Sequence, residues 1–296
     1  MIMSQESSRT IAVVGATGAQ GGGVVRALQD REAFKVRALS RNPEAHDGLA
    51  DEVVYADLTK PETLEPALSG AYGVFTNTNS FASPDTDEIA QGTLSVLAAK
   101  AAGVQHYVWS TLPNVDKISG GQFVVPHFTN KASVNKVVND AGFPFHTFVE
   151  PPFYFQNLIS PMYQKISGPN GTPSWTMPAN PSVGGMHMGE IGEFGYLVAG
   201  AFEQPEEVGN GKYLSMAGDL LSWDEITATL QSQGHNIGYV EATEDPYFLR
   251  DMFSYMAKYT YFGPDSATKI ADAHAVTTKP FTNFEAWAST NMAVAR

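Results

Sequence analysis

The sequence predicts an α/β fold in which a doubly wound parallel sheet is followed by a smaller C-terminal α+β lobe. Three observations predict it: a glycine-rich turn near the N-terminus, six short apolar runs that alternate with helical patterns, and a change of texture after residue 157. Strands that alternate with helices in this way form parallel βαβ units. We therefore expect a first domain over residues 1–156 and a second lobe over residues 157–296.

The first predicted strand, residues 11–14, runs into the sequence Gly-Ala-Thr-Gly-Ala-Gln-Gly and then into a helical pattern. Gly15 permits a tight turn, Gly18 lets the backbone approach a phosphate, and Gly21 lets the helix pack close to the sheet. Free N–H groups at the helix start then bind a pyrophosphate. This indicates a Rossmann-type, NAD(P)-binding domain, with a glycine turn that holds no ligand as the alternative. The predicted cofactor-binding residues of this turn are Gly15, Thr17, Gly18, Ala19, Gln20 and Gly21.

The second predicted strand, residues 34–39, decides which dinucleotide is expected. A carboxylate at its end would bind the ribose 2′-hydroxyl of NAD, whereas this chain has Ser40 and Arg41 there. A hydroxyl and a fixed positive charge suit a 2′-phosphate. The predicted cofactor is therefore NADP(H). An arginine that only faces solvent is the alternative, and Arg37 is a weaker second candidate.

The later strands are predicted at residues 53–55, 73–76, 106–110 and 145–149. Helices are predicted from about residue 61, over 87–102 and over 128–140, and Gly103 and Gly142 suit the left-handed caps of the last two. The carboxyl ends of parallel strands meet at one edge of the sheet, where ligands bind. The polar residues that follow these strands are Asp57, Asn77, Thr78, Asn79, Ser110 and Thr111. Each could instead satisfy a local turn.

The second half of the chain is less regular. Residues 160–187 are rich in Pro, Gly, Ser and Asn, which predicts loops and short strands. A helix near residues 189–202 and a strand at 212–216 follow. Ser222 and Glu225 have the spacing of a capping box, which predicts a helix that begins just after Ser222. Further helices are predicted over 246–259 and from the segment 282–285. We expect this half to close over the cofactor.

Composition and charge exclude several classes of function. Lys and Arg number 18 and Asp and Glu number 31, so the net charge is −13. Such a surface repels phosphate backbones and anionic membranes, which argues against nucleic-acid binding. Cysteine is absent, so disulfides and thiolate chemistry are excluded. The histidines lack metal-ligand spacing, and no Gly-x-Ser-x-Gly elbow occurs, so we predict neither a metal site nor a hydrolase. With no signal-like or membrane-length apolar run, a soluble cytoplasmic protein is expected.

The glycine spacing, the strand pattern and the Asp57-Leu58 pair resemble the short-chain dehydrogenase superfamily. That superfamily usually carries Tyr-x-x-x-Lys on the helix after the fifth strand, but no lysine of this chain has a tyrosine four residues before it. The segment found there is His127-Phe128-Thr129-Asn130-Lys131. With Ser40-Arg41-Asn42-Pro43, Trp109-Ser110-Thr111-Leu112 and the run 151–157, it is similar to the NmrA-like family. The resemblance is nearest the HSCARG-type branch of these atypical short-chain dehydrogenases/reductases.

This resemblance implies roles for the strand-end residues. It places Asp57 at the adenine amino group, Asn77, Thr78 and Asn79 beside the adenosine and ribose, and Lys131 on the nicotinamide ribose. Ser110 or Thr111 would polarise the substrate oxygen. From the residues themselves, Lys131 could instead be an ordinary surface lysine. His127 lies one turn before Lys131 and titrates near neutrality, so it could give a proton, or it could simply cap or pack.

The aromatic run after the sixth strand is the expected substrate wall. Pro152 and Phe153 are assigned to the cofactor, and Tyr154, Phe155 and Asn157 to the substrate, although such clusters are often core. A roof formed by Trp175, Met177 and residues 186–188 is a guess from position. The resemblance implies an NADP(H)-dependent reductase of a small, aromatic or conjugated carbonyl, quinone or enone. The alternative is a non-catalytic NADP(H) sensor that acts through a protein partner or homo-oligomer.

Overall fold

The computed structural model describes residues 9–31, 33–163, 165–243 and 247–292. Seven parallel strands form its main sheet, in the order β11-β6-β5-β4-β1-β2-β3. Their bounds are β1 Arg9–Val14, β2 Phe34–Ser40, β3 Glu52–Tyr55, β4 Gly73–Thr76, β5 His106–Ser110, β6 Phe145–Glu150 and β11 Asn210–Ser215. The predicted doubly wound fold is confirmed, and so are its six strands. The seventh strand, β11, comes from the second half of the chain and pairs with β6.

Helices cover both faces of this sheet. One apolar cluster joins the sheet to α1 Ala19–Gln29, α6 Phe194–Glu203 and α10 Ser266–Val276. The cluster on the other face joins it to α2 Leu64–Leu68, α3 Glu88–Ala101 and α5 Pro126–Asp140. Gly103 and Gly142 have φ of +76° and +64°, as the left-handed caps require. Both faces of the central strands β1, β4 and β5 are therefore buried, which explains their nearly continuous apolar character.

A smaller lobe of short strands surrounds an aromatic core. It includes β7, which precedes residue 157, whereas β11, α6 and α10, which follow that residue, pack with the main sheet. The two three-stranded sheets of the lobe have the orders β12-β10-β7 and β13-β9-β8. Their strands are β7 Phe153–Tyr154, β8 Lys165–Ser167, β9 Pro173–Met177, β10 Met186–Gly189, β12 Asp219–Leu221 and β13 Gly238–Glu241. The remaining helices are α4 Val115–Ser119, α7 Pro205–Val208, α8 Trp223–Ser232, α9 Tyr247–Tyr259 and α11 Phe284–Asn291. Trp175, Trp223 and Tyr255 are fully buried in their common core.

Several boundaries differ from the sequence expectation. The helix predicted from about residue 61 is a 3-10 turn, Pro61–Thr63, followed by the five-residue α2. The helix predicted near residue 189 begins at Phe194, because β10 occupies residues 186–189. The capping box at Ser222 is present, and Asn283 caps α11 through its side chain. Pro246, the predicted start of α9, lies outside the described residues.

Across the described ranges, no helix combines the length and the apolar character needed to span a bilayer. The same residues contain no group of three His, Asp or Glu side chains arranged to hold a metal ion.

Candidate functional site

The glycine-rich turn between β1 and α1 forms an open cradle. Gly15 has a φ of +75°, and its carbonyl accepts a hydrogen bond from the Gly18 N–H at 2.9 Å. A Cβ on Gly21 would lie 2.1 Å from the Gly15 carbonyl oxygen, so this position admits no side chain without movement. Gly18 caps α1 without a side-chain hydrogen bond, and no acidic residue lies in the first turn. The turn therefore offers unscreened N–H groups and a positive dipole end, which suits a phosphate.

A cleft of about 200 Å³ continues from this turn along the carboxyl ends of β2, β3 and β4. Its walls include residues from four of the strand-to-helix connections, as expected where ligands bind a doubly wound sheet. The predicted cofactor residues that line it are Gly15, Thr17, Ser40, Arg41, Asp57, Asn77, Thr78 and Asn79. Ala19 and Gln20 begin α1 beside this cleft. These residues, which come from separate sequence motifs, therefore line one groove.

Arg41 is the arginine that faces this cleft. It is exposed at the cleft mouth, near Asp57. Burial opposes ionisation of Asp57, but hydrogen bonds from Thr59 and the charges of Lys60 and Arg41 lower the pKa of that carboxyl. Arg37 is held elsewhere: its guanidinium contacts Glu52 at 2.5 Å and donates to the carbonyl of Ser69 at 2.7 Å. Of the two predicted arginines, only Arg41 is placed to meet a phosphate.

Lys131 is buried on α5 and contacts the connection that follows β4. Its Nζ lies 2.9 Å from Oε1 of Glu88 and donates to the Thr78 carbonyl at 2.7 Å and to Asn77 Oδ1 at 3.2 Å. Burial lowers the pKa of Lys131, and Glu88 opposes this effect. Glu88 was not predicted from the sequence, because an acidic residue in a first helical turn is ordinary.

The two hydroxyls at the end of β5 point in different directions, as the alternation of a strand requires. Ser110 Oγ donates to Oε1 of Gln20 at 3.0 Å, so it faces the start of α1. Thr111 Oγ1 instead donates to Asn135 Oδ1 at 2.7 Å, and Asn135 in turn donates to the Tyr213 hydroxyl. Ser110 and Thr111 are both fully buried. Ser110 belongs to the candidate site, while Thr111 joins α5 to β11.

Tyr154 extends the Ser110 side of the site. Its hydroxyl oxygen is buried and makes no hydrogen bond of normal geometry within the described chain, although the Gln20 side chain lies beside it. Burial, together with the nearby Tyr261 and Glu190, raises the pKa of Tyr154 well above its usual value. The phenol is protonated at neutral pH, as an ordinary tyrosine is, and its surroundings further oppose the loss of that hydrogen.

The other residues after β6 mainly build the lobe. Phe155 is fully buried against Phe284 and Trp287, with ring centroids 5.4 and 5.3 Å away. Phe153 packs against Tyr163 at 5.4 Å, and Pro152 precedes it at the start of β7. Asn157 lies half-buried in the 3-10 helix Phe155–Ile159. The residues predicted to cover the substrate pocket also belong to this core: Trp175 lies in β9, and His187 stacks on Phe262.

His127 lies at the first turn of α5, with its ring 5.3 Å from Phe81 and 4.9 Å from Phe128. Burial, opposed by Glu88 and assisted by Lys131, lowers the pKa of His127 to about 4. The imidazole is therefore neutral at pH 7. It can hold a hydrogen bond, but a charged imidazolium acid is not available there.

This depressed pKa predicts a pH dependence of stability. As pH falls from about 6.5 towards 4, the unfolded chain takes up a proton at His127 that the folded chain does not, so the unfolding free energy falls. His127→Gln is expected to make that fall shallower by up to about 1.4 kcal/mol per pH unit. Denaturant unfolding of both proteins at several pH values measures the difference. Identical slopes would show that His127 titrates alike in the folded and unfolded chains.

The comparisons with known proteins agree with this architecture. The sequence model of the NmrA-like family matches residues 7–288. The chain is 31% identical over 228 residues to an NmrA-like family domain-containing protein of Dictyostelium discoideum, covering 73% of this chain and 74% of that protein. It is 32% identical over 241 residues to the NmrA-like family domain-containing oxidoreductase himF of Aspergillus japonicus, covering 75% and 72%.

Two solved structures share the fold. The crystal structure of NmrA, a negative transcriptional regulator, superposes with a TM-score of 0.81 at 24% identity and covers 96% of both chains. The NADPH-dependent quinone oxidoreductase QOR2 of Escherichia coli has a TM-score of 0.73 at 21% identity, covering 95% of this chain and 99% of its own. At these identities the likeness concerns the fold. The family match over nearly the whole length carries the assignment, and the resemblance seen in the sequence motifs is confirmed: this chain belongs to the NmrA-like family.

Proposed function

We propose that this protein is an NADP(H)-dependent reductase that acts on a small, aromatic or conjugated carbonyl, quinone or enone. The observation that carries the proposal is the group formed by Ser110, Gln20 and Tyr154 beside the first turn of α1. Ser110 Oγ and Gln20 Oε1 are joined at 3.0 Å, and the Tyr154 hydroxyl, beside Gln20, is buried with no hydrogen bond of normal geometry to any described residue. A buried hydroxyl of this kind favours a ligand oxygen as its partner.

The dinucleotide site fits the proposed cofactor. The cradle of Gly15, Gly18 and Gly21 suits the pyrophosphate, and Arg41 suits a 2′-phosphate. Asp57 accepts both hydrogen bonds from Thr59 on Oδ1, so its Oδ2 accepts none from the described residues and suits the adenine amino group. When bound, the cofactor supplies a hydride to the substrate. Two relatives support the class of reaction, since himF is named an oxidoreductase and QOR2 an NADPH-dependent quinone oxidoreductase.

The chain's own contribution is to bind and polarise the substrate oxygen. Negative charge grows on that oxygen during reduction, and hydroxyl donors in a water-poor site stabilise it. Tyr154 is the donor that the geometry leaves available, since its phenol is protonated at neutral pH and burial opposes its ionisation. Ser110 becomes the second donor when its single hydroxyl hydrogen turns from Gln20 Oε1 to the substrate oxygen. Tyr154 thereby takes the place of the tyrosine absent from the His-Phe-Thr-Asn-Lys segment of α5. The proton that completes the reduction passes from the Tyr154 hydroxyl to the substrate oxygen, so the neutral His127 is not required as an acid.

Tyr154→Phe and Ser110→Ala test this assignment. Each is expected to lower kcat about 10- to 1000-fold with little change in the dissociation constant for NADPH, because each removes a donor that acts mainly as charge develops. Steady-state reduction of quinones and titration calorimetry measure the two quantities. Tyr72→Phe is the matched control, since Tyr72 lies before β4 at the opposite end of the sheet. Unchanged kcat in both site variants would remove these hydroxyls from the reaction.

A second candidate function is a non-catalytic NADP(H) sensor. It is favoured by the engagement of Lys131, whose ammonium is held by Glu88 and Thr78, and by the neutral state of His127. The fold shared with NmrA, a negative transcriptional regulator, is in line with it. A sensor binds NADP(H) without turnover and changes its oligomeric state or its affinity for a partner protein.

A further inference from the structure

We propose that Glu88 is a positioning residue for cofactor binding, which fixes residues 77–80 as one wall of the dinucleotide cleft by pairing with Lys131. The inference rests on the proposed function, since it concerns the same cleft. In it, Lys131 acts on the cofactor through this connection and not by direct contact.

Three separate segments meet at this pair. Glu88 is the first residue of α3, Lys131 lies on the second turn of α5, and residues 77–80 connect the end of β4 towards α3. Lys131 Nζ lies 2.9 Å from Glu88 Oε1. It also lies within hydrogen-bond distance of the Thr78 carbonyl at 2.7 Å, Thr78 Oγ1 at 3.1 Å and Asn77 Oδ1 at 3.2 Å. An ammonium has three hydrogens, so four protein acceptors already exhaust it.

Glu88 holds the same connection from its other side. Its Oε1 accepts from Thr78 Oγ1 at 2.7 Å, and its Oε2 accepts from Ser80 Oγ. The carboxylate therefore binds two hydroxyls of the connection as well as the ammonium. The side chain of Glu88 is 1% exposed and that of Lys131 is 9% exposed.

This burial makes the arrangement strict. A buried charge is tolerated only when it is paired and hydrogen-bonded. If either Glu88 or Lys131 is replaced, the other charge is left buried without its partner, and residues 77–80 must rearrange. Asn77, Thr78 and Asn79 line the cleft beside Ser40 and Arg41, whereas Glu88 and Ser80 are not among its lining residues. Glu88 therefore shapes the cleft without touching its contents.

Glu88→Gln is the direct test, with Glu206→Gln on the exposed surface of α7 as the control for loss of one negative charge. We expect the dissociation constant for NADPH, measured by titration calorimetry, to rise at least about tenfold in Glu88→Gln. The stoichiometry should stay near one, and the preference for NADPH over NADH should persist because Arg41 is unchanged. A merely destabilising change would lower the stoichiometry and leave the affinity of the folded fraction intact.

Hydrogen exchange of the cofactor-free protein gives a second readout. Amides of residues 77–80 should exchange faster in Glu88→Gln than in the wild type, with Glu206→Gln unchanged. Should Glu88→Gln fail to fold, Ser80→Ala decides, since it removes a single hydrogen bond to Glu88 and is expected to raise the same dissociation constant about threefold. Wild-type affinity in the folded variant overturns the inference alone. A wild-type protein that does not bind NADPH overturns the proposed function together with the inference.

Discussion

Arg41→Glu is expected to raise the dissociation constant for NADPH more than about a hundredfold while changing that for NADH less than about threefold. The guanidinium lies at the mouth of the cleft, where β2 ends, and Arg37 is already held by Glu52 and backbone carbonyls. NADH lacks the 2′-phosphate, so its binding does not depend on a contact with Arg41. Reversing the charge adds repulsion to the lost hydrogen bonds, so the selectivity between the two cofactors should collapse.

Titration calorimetry with both cofactors measures this effect. Arg26→Glu is the control, because Arg26 is exposed near the end of α1, away from the cleft lining, and undergoes the same charge reversal. It should leave both affinities nearly unchanged. An equal loss for NADPH and NADH in Arg41→Glu would show that Arg41 supports the cleft generally and does not recognise a 2′-phosphate.

Gly21→Ala is expected to abolish most of the cofactor affinity and to destabilise the fold by about 1–3 kcal/mol. The added Cβ would lie 2.1 Å from the Gly15 carbonyl oxygen and 2.5 Å from its carbon, both of which are backbone atoms that cannot swing aside. The turn must move away from α1, and the N–H groups that face the pyrophosphate move with it. Denaturant unfolding and calorimetry measure the two losses separately.

Gly22→Ala is the matched control, one residue further along α1. Its Cβ would meet only the Ala16 carbonyl oxygen at 3.4 Å and the Arg26 side chain at 3.5 Å, which are ordinary contacts. Since alanine is a better helix former, this variant should be more stable by up to about 1 kcal/mol and should bind NADPH normally. Equal behaviour of the two variants would mean that close packing at Gly21 does not position the turn.

The sequence was sufficient for the elements that local pattern determines. The apolar runs of β1 to β6, the positive-φ glycines after α3 and α5, and the capping box at Ser222 all depend on residues near one another in the chain. The placement of β11 depends instead on residues that are far apart in the chain. Its pairing with β6 joins segments about sixty residues apart, and such non-local pairing leaves no local signal. Helix α10 was missed for a related reason, since packing against the sheet stabilises it and its N-cap residue makes no side-chain hydrogen bond.

The candidate site divides in the same way. Residues that line the cleft follow strand ends, so the rule for parallel sheets located them. The different directions of Ser110 and Thr111 follow from strand alternation, but which one faces the site depends on register. Glu88 could not be identified, because its role depends on contact with Lys131, which lies on a different helix far along the chain. Phe155 was placed beside the substrate by its position after β6, whereas packing against α11 makes it a core residue.

Reduction of a substrate by this protein with NADPH is tested most directly by the loss of reduced-nicotinamide absorbance in the near ultraviolet. Wild-type protein and NADPH would be mixed with a panel of quinones, conjugated enones and aromatic aldehydes. We expect consumption of NADPH with at least one member of the panel, much slower consumption of NADH, and a large loss of rate in Tyr154→Phe. Tight, NADPH-selective binding without consumption for any member would contradict the reductase and favour the sensor.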